Sequence, residues 1–228
     1  MKEHLEESTS KFKILGESFT DVNIFFPIAN ILVTPLRTIG MTPNGVTILS
    51  AVIRLYVIFL LSVNKVEYAC LCLIMGYLFD CIDGNMARKY KIGSKYGMTL
   101  DLVSDSIILS GILLYILYDK GIKWQIILII ILGYLSMIWG GINDAISSYN
   151  TYKTDDFYAK KQEELKGESY LLADMYLFQM KNVYNNYKLL FPTYDYDKLY
   201  KWITVIKEFG GGGNAICIFS YLMYNLYK

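Results

Sequence analysis

An all-α polytopic transmembrane helix bundle of five to six spans, preceded by an N-terminal interfacial helix, is the fold class this sequence predicts. Three observations carry it. Of 228 residues, 54% are hydrophobic and only 19% charged, with a mean hydropathy of +0.31, whereas soluble domains carry about 25% Asp, Glu, Lys and Arg. The apolar residues are gathered into runs near the length of about 20 residues that crosses a bilayer. Short polar connectors join those runs, the pattern of an antiparallel bundle. Other classes are excluded by charge: 22 Lys plus Arg against 21 Asp plus Glu leave +1, so no basic field attracts nucleic acid. The low hydrophobicity and high net charge of a disordered chain are missing as well.

The elements follow in order. Residues 1–41 read as a cytoplasmic arm and an interfacial helix. MKEHLEESTSKFK holds no apolar core with a small-residue cleavage site, so no removable signal peptide is expected. Val22 to Leu36 is apolar but interrupted by Pro27 and Pro35 and short for a span. Residues 42–142 form a four-helix membrane core: Thr47 to Val63, broken only by Arg54; Tyr68 to about Ala87, apolar as far as Phe79; Met98 to Tyr118; and Trp124 to Ile142, which is uncharged. Thr42 and Pro43 suit the cap and first turn of the first of these helices.

Residues 143–209 are rich in Tyr, Lys, Glu and Asp and predict a polar, cytoplasmic helical segment. Within it, DDFYAKKQEELKGESYLLADMYLFQMKNVYNNYKLL reads as helical, with acids and bases at i,i+4 and then recurring apolar positions. Tyr170 to Phe191 is the weak candidate for a sixth span. Residues 210–228 hold a C-terminal membrane helix, uncharged from Gly210 to Leu226. Its four leading glycines suit either a closely packed helix start or a phosphate cradle. The connector with Arg88, Lys89, Lys91 and Lys95 outweighs those with Lys65, Lys120 and Lys123, which sets it in the cytoplasm. Arg37 and these bases suit topology and lipid headgroups.

The chemistry is constrained by what is scarce. Four cysteines, at 70, 72, 81 and 217, show no zinc spacing and read as packing residues, and His4 is the single histidine, in the solvated arm. Catalysis must therefore use carboxylates or metals. Asp80, Asp83, Asp101 and Asp105 stand at the end of one span and the start of the next. At a helix centre each costs about 2.5 to 3.5 kcal/mol on the translocon scale. The i,i+3 and i,i+4 spacings put each pair on one helix face, and a hairpin brings the faces together. Two divalent cations would match four carboxylates, and hard oxygen ligands suit Mg²⁺ or Mn²⁺. Such centres serve phosphoryl chemistry. Arg54, an intramembrane charge, has three open roles: substrate contact, a partner for an aspartate, or snorkelling.

Asp80-x2-Asp83-Gly84-x2-Ala87-Arg88-x8-Gly97-x3-Asp101-x3-Asp105 matches every fixed position of the motif of the CDP-alcohol phosphotransferase (CDP-alcohol phosphatidyltransferase) family, which this protein resembles, and Thr42-Pro43-Asn44-Gly45-Val46-Thr47 is similar to the segment opening that family's first membrane helix. The resemblance covers Thr42 to Asp105. It implies transfer of a phosphatidyl group from CDP-diacylglycerol to a small polar alcohol, releasing CMP. The four aspartates would share two metal ions, with Asp105 also the catalytic base. Gly84, Ala87, Arg88 and Gly97 would receive the CDP moiety, together with Asn44 and Thr47. The resemblance further implies membrane lipids as partners and a homodimer. Ser106 is reminiscent of the branch that uses CDP-choline or CDP-ethanolamine with diacylglycerol, the alternative within the class. Outside it stand a carboxylate-lined cation carrier, which needs no Gly-x2-Ala-Arg, and an aspartate-rich prenyltransferase. The latter needs a second aspartate motif, for which Asp155-Asp156 and Asp195-x-Asp197 have the wrong spacing.

Overall fold

The computed structural model describes residues 16–168 and 170–228, so His4 and the charged arm as far as residue 15 lie outside the described residues. Helices dominate: α1 Phe26–Thr38, α2 Pro43–Ser62, α3 Val66–Tyr90, α4 Lys95–Lys120, α5 Trp124–Tyr152, α6 Phe157–Glu164, α7 Leu171–Leu190, α8 Tyr196–Gly210 and α9 Gly212–Tyr227, with one π-helical turn, Asp21–Phe25, ahead of α1. They fall into two compact units, one of the chain up to Val22 with Leu132–Ala215, the other of Asn23–Ile131 with Ile216–Lys228.

In the unit containing Asn23–Ile131, α2 packs along α3 and against α4, and α1 packs on α3. The helix starts are those the sequence encodes. Thr42 Oγ1 accepts the Gly45 N–H at 3.2 Å with Pro43 in the first turn, and Ser94 Oγ accepts the Gly97 N–H at 2.9 Å to begin α4. Between α3 and α4, Lys91 takes a left-handed conformation (φ 53°), and its N–H and that of Ile92 close on the last carbonyls of α3. Phe25, Ala29 and Val33 of the N-terminal helical stretch pack with Val46, Leu78, Ile82 and Met86, and Phe25 meets Tyr77 edge to face at 4.9 Å. None of the four cysteines, all among the described residues, forms a disulfide, and Cys81 is buried in that core.

Helix α2 presents an apolar outer face and buries polar residues among apolar ones. Ile48, Val52, Leu55 and Phe59 form an exposed stripe at i, i+4, i+7 and i+11, while Thr47, Ser50 and Arg54 are buried. Such an apolar face suits hydrocarbon rather than water. Among the described residues, three helices, α2, α4 and α5, are long and apolar enough to cross a membrane. Helix α3 runs 25 residues but includes Glu67, Asp80, Asp83, Arg88 and Lys89, and α9 has 16 residues, short of the usual span.

The unit containing Leu132–Ala215 departs in detail from the sequence expectation. The stretch DDFYAK…YKLL, read as helical, forms two helices, α6 and α7, broken where Gly167 adopts φ +90°, a conformation no right-handed helix admits. Asp155, one residue before the α6 cap Asp156, accepts from Lys188 Nζ at 2.6 Å and from the Tyr187 hydroxyl at 3.1 Å. Burial, with Asp155 alongside, pushes the Tyr187 phenol up. Helix α8 was hidden in polar sequence; Leu199, Ile203, Ile206 and Gly210 make its buried stripe. The uncharged stretch beginning at Gly210 is divided at Gly211, so α9 starts at Gly212. A Cβ on Gly210 would lie 2.6 Å from the Leu135 carbonyl, which makes this glycine a close-packing residue of α8 on α5.

Candidate active site

Three helices of the Asn23–Ile131 unit bring their polar faces together. On α3 these residues are Gly76, Asp80, Asp83, Gly84, Ala87 and Arg88, each a helical turn or its neighbour from the last; on α4 they are Gly97, Asp101 and Asp105 at strict i,i+4 spacing. Carboxylate oxygens of Asp80, Asp101 and Asp105 all lie within 4.8 Å of one another. Three carboxylates this close, on helices of apolar exterior, repel one another unless cations or protons offset their charge. Asp101 Oδ1 is buried and has no hydrogen-bond partner among the described residues. A bare buried acceptor beside two further carboxylates fits a hard divalent cation, so the trio could hold a metal.

Asp83 turns another way. It is 6% exposed, and its Oδ2 accepts the Thr47 hydroxyl at 2.6 Å, tying α3 to α2. Of the four expected metal ligands, three therefore meet in one cluster and the fourth lines the space next to it. That space is a cavity of about 240 Å³ bounded by Pro43, Asn44, Thr47, Asp83, Gly84, Ala87, Arg88, Gly93, Ser94, Gly97, Met98 and Asp101. All six residues expected to receive the CDP moiety border it, beside two of the aspartates.

The small residues have local reasons. A Cβ on Gly97 would stand 2.5 Å from Asn44 Oδ1 and 3.0 Å from Ser94 Oγ, so Gly97 lets the starts of α2 and α4 approach. A Cβ on Gly84 would meet the Arg88 guanidinium at 3.3 Å, so its absence leaves room for that group one turn on. Arg88 Nη2 donates to Asn85 Oδ1 at 2.6 Å, which holds the guanidinium at the cavity border.

Arg54 resolves among its three roles toward the aspartates. It is 1% exposed, ion-pairs with Asp105 and lies 3.5 Å from Asp80 Oδ1. Sequence reasoning missed two residues that seat it. Ser50 Oγ accepts from Arg54 Nη2 at 2.7 Å and donates to the Gly76 carbonyl at 2.7 Å, and Gly76 has no side chain where the Arg54 stem passes. The periodicity of Thr47, Ser50 and Arg54 in an apolar helix was the available signal. Ser106 donates to the Leu102 carbonyl within its own helix at 2.9 Å. The glycine run is a packed helix start. Buried Asp21 accepts from the Gly213 N–H at 3.1 Å and from Ser18 Oγ at 2.7 Å, so a carboxylate of the chain already caps α9.

Comparison with known proteins bears on this geometry. Archaetidylinositol phosphate synthase of Pyrococcus horikoshii is 31% identical over 102 residues, which cover 43% of this chain and 52% of the relative. The chain thus matches about half the length of that curated relative. No solved structure matches. A family model described as CDP-alcohol phosphatidyltransferase matches residues 40–182, well over half the chain and inclusive of every residue lining the cavity and the carboxylate cluster, and the chain belongs to that family.

Proposed function

We propose that this protein transfers a phosphatidyl group from CDP-diacylglycerol to a small polar alcohol and releases CMP. The observation that supports this most is the adjacency, on three helices, of the Asp80, Asp101 and Asp105 cluster and the cavity bordered by Asn44, Thr47, Gly84, Ala87, Arg88 and Gly97. Two divalent ions, Mg²⁺ or Mn²⁺, held by the four aspartates would neutralise the diphosphate and the charge that develops on it. Arg88 adds a fixed positive charge at the cavity border, and Gly97 keeps it open to the nucleotide.

In the step itself, the acceptor hydroxyl oxygen forms a bond to the phosphorus that carries the lipid. The bond from that phosphorus to the oxygen bridging to CMP breaks, CMP leaves with that oxygen, and the hydroxyl proton passes to Asp105. A carboxylate is a weak base toward an alcohol, so proton acceptance must accompany attack rather than precede it. Dry walls and fixed charges supply the remainder of the acceleration.

The name of the Pyrococcus relative describes a product containing inositol phosphate, which puts inositol phosphate first among acceptors. We further infer a multi-pass arrangement in which α3 and α9 are embedded with α2, α4 and α5, the active site near the cytoplasmic face, α1 at the interface and the enzyme a homodimer.

The test is CMP release by purified protein in detergent with Mn²⁺ and CDP-diacylglycerol. Inositol phosphate, inositol, glycerol 3-phosphate, serine, ethanolamine and choline are offered in turn, with CDP-choline plus diacylglycerol run alongside. Release stimulated by one acceptor, inositol phosphate foremost, is expected. Release only from CDP-choline with diacylglycerol would select the aminoalcohol reaction. Mn²⁺ flux without any nucleotide dependence would favour a cation carrier.

A further inference from the structure

Arg54 is an expensive residue for its position. It lies in an otherwise uncharged helix, is 1% exposed and fills a groove left open by Gly76. Burial of a guanidinium is tolerated only where it is paired, and here the partners are Asp105 and, at 3.5 Å, Asp80, two of the three carboxylates of the metal cluster. Ser50 fixes the guanidinium from behind through its bond to the Gly76 carbonyl. The arrangement draws on three helices for one cation.

We propose that Arg54 is the resident third cation of the metal centre. It weakens the hold of the carboxylates on divalent ions and leaves the loaded centre net positive toward the diphosphate of the nucleotide. The charges follow from the residues present. Four aspartates alone balance two divalent ions, leaving a neutral centre with no attraction for an anion. With Arg54 among them the protein contributes three net negative charges, and two divalent ions then leave one positive charge facing the diphosphate. The same guanidinium repels each incoming ion and shares carboxylate oxygens with it. Arg54 is thus a positioning residue, acting through Asp105, Asp80 and the metal ions rather than by touching substrate. The inference rests on the metal-centre reading given above.

Two affinities separate this role from a purely structural one, since damage to the site weakens both. The full chain in detergent is titrated with Mn²⁺, followed by electron paramagnetic resonance, and then with CDP at saturating Mn²⁺. The variants are Arg54→Met, Arg54→Gln, which keeps a donor without the charge, and Arg54→Lys, which keeps the charge. In the two neutral variants Mn²⁺ should bind about tenfold more tightly and CDP about tenfold more weakly; Arg54→Lys should stay near wild type on both. Joint weakening of Mn²⁺ and CDP, or no change in either, overturns the inference. So does failure of both neutral variants to fold at any Mn²⁺ concentration while Arg54→Lys folds, because the metal should then have replaced the missing charge. Should wild type show no Mn²⁺ binding that Asp80→Asn and Asp101→Asn remove, the metal-centre reading itself falls, which is a different outcome.

Discussion

Thr47 shows how one hydroxyl serves both structure and chemistry. It sits in the first turns of α2, 3% exposed, and its 2.6 Å bond to Asp83 is the charge-assisted contact between α2 and α3 at the cavity. A carboxylate buried at this depth depends on the donors it has, because losing one leaves part of its desolvation uncompensated. Thr47→Val keeps the shape and removes the donor. Thermal unfolding should show a loss of about 1.5–3 kcal/mol, the usual worth of a hydrogen bond to a charged group. CDP affinity should fall with it, since Asp83 would be free to turn away from the cavity. Unchanged unfolding and CDP affinity in this variant would show that Asp83 is satisfied by other means.

At the scale of helices, the part most legible in sequence was the part under the strongest physical constraint. Thr42 caps as a residue of its type does, and Asp80, Asp101 and Asp105 meet because i,i+4 spacing and a short connector allow little else. Arg54 was visible as an anomaly but not its seat, because Ser50 and Gly76 lie 26 residues apart and neither is unusual in an apolar helix. The break at Gly167 and the helix Tyr196–Gly210 were obscured for the opposite reason. In sequence crowded with Lys, Asp and Tyr, an amphipathic stripe of four residues is faint, and one glycine among helix formers is a weak stop. Gly210 is where that region is most sensitive. Gly210→Ala would set a methyl against the Leu135 and Ser136 backbone, which cannot swing aside as a side chain can. A loss of at least about 1–3 kcal/mol is expected in thermal unfolding; an unfolding temperature equal to wild type would mean that α8 and α5 are not packed backbone to backbone.

For the whole molecule, the concentration of carboxylates within one helical unit would couple any metal it binds to stability. Asp80, Asp101 and Asp105 repel one another, and Arg54 offsets part of that repulsion in the absence of metal. A divalent ion that binds the folded chain should therefore stabilise it, by about 2.7 kcal/mol at a hundredfold excess over its dissociation constant. Mn²⁺ should raise the unfolding temperature in detergent, EDTA should reverse the gain, and Asp80→Asn should largely remove it. An unfolding temperature indifferent to Mn²⁺ and EDTA would argue against a metal centre. Family membership rests on residues 40–182, and the cluster and cavity fall inside that range, whereas the acceptor has no comparable mark. Its contacts are not encoded in the spaced motif, so the CMP-release panel is what identifies it.

In the proposed reaction Asp105 takes the acceptor proton besides sharing in the metal cluster, and Asp80, Asp83 and Asp101 are left to hold the metal when it is replaced. The most direct measurement is CMP release by Asp105→Asn, made on the same preparation as Mn²⁺ and CDP-diacylglycerol binding. Turnover should fall by at least about a hundredfold, the lower range attributed to general acid–base catalysis, with donor binding retained and Mn²⁺ still bound. Turnover close to wild type in protein that binds both would contradict the assignment.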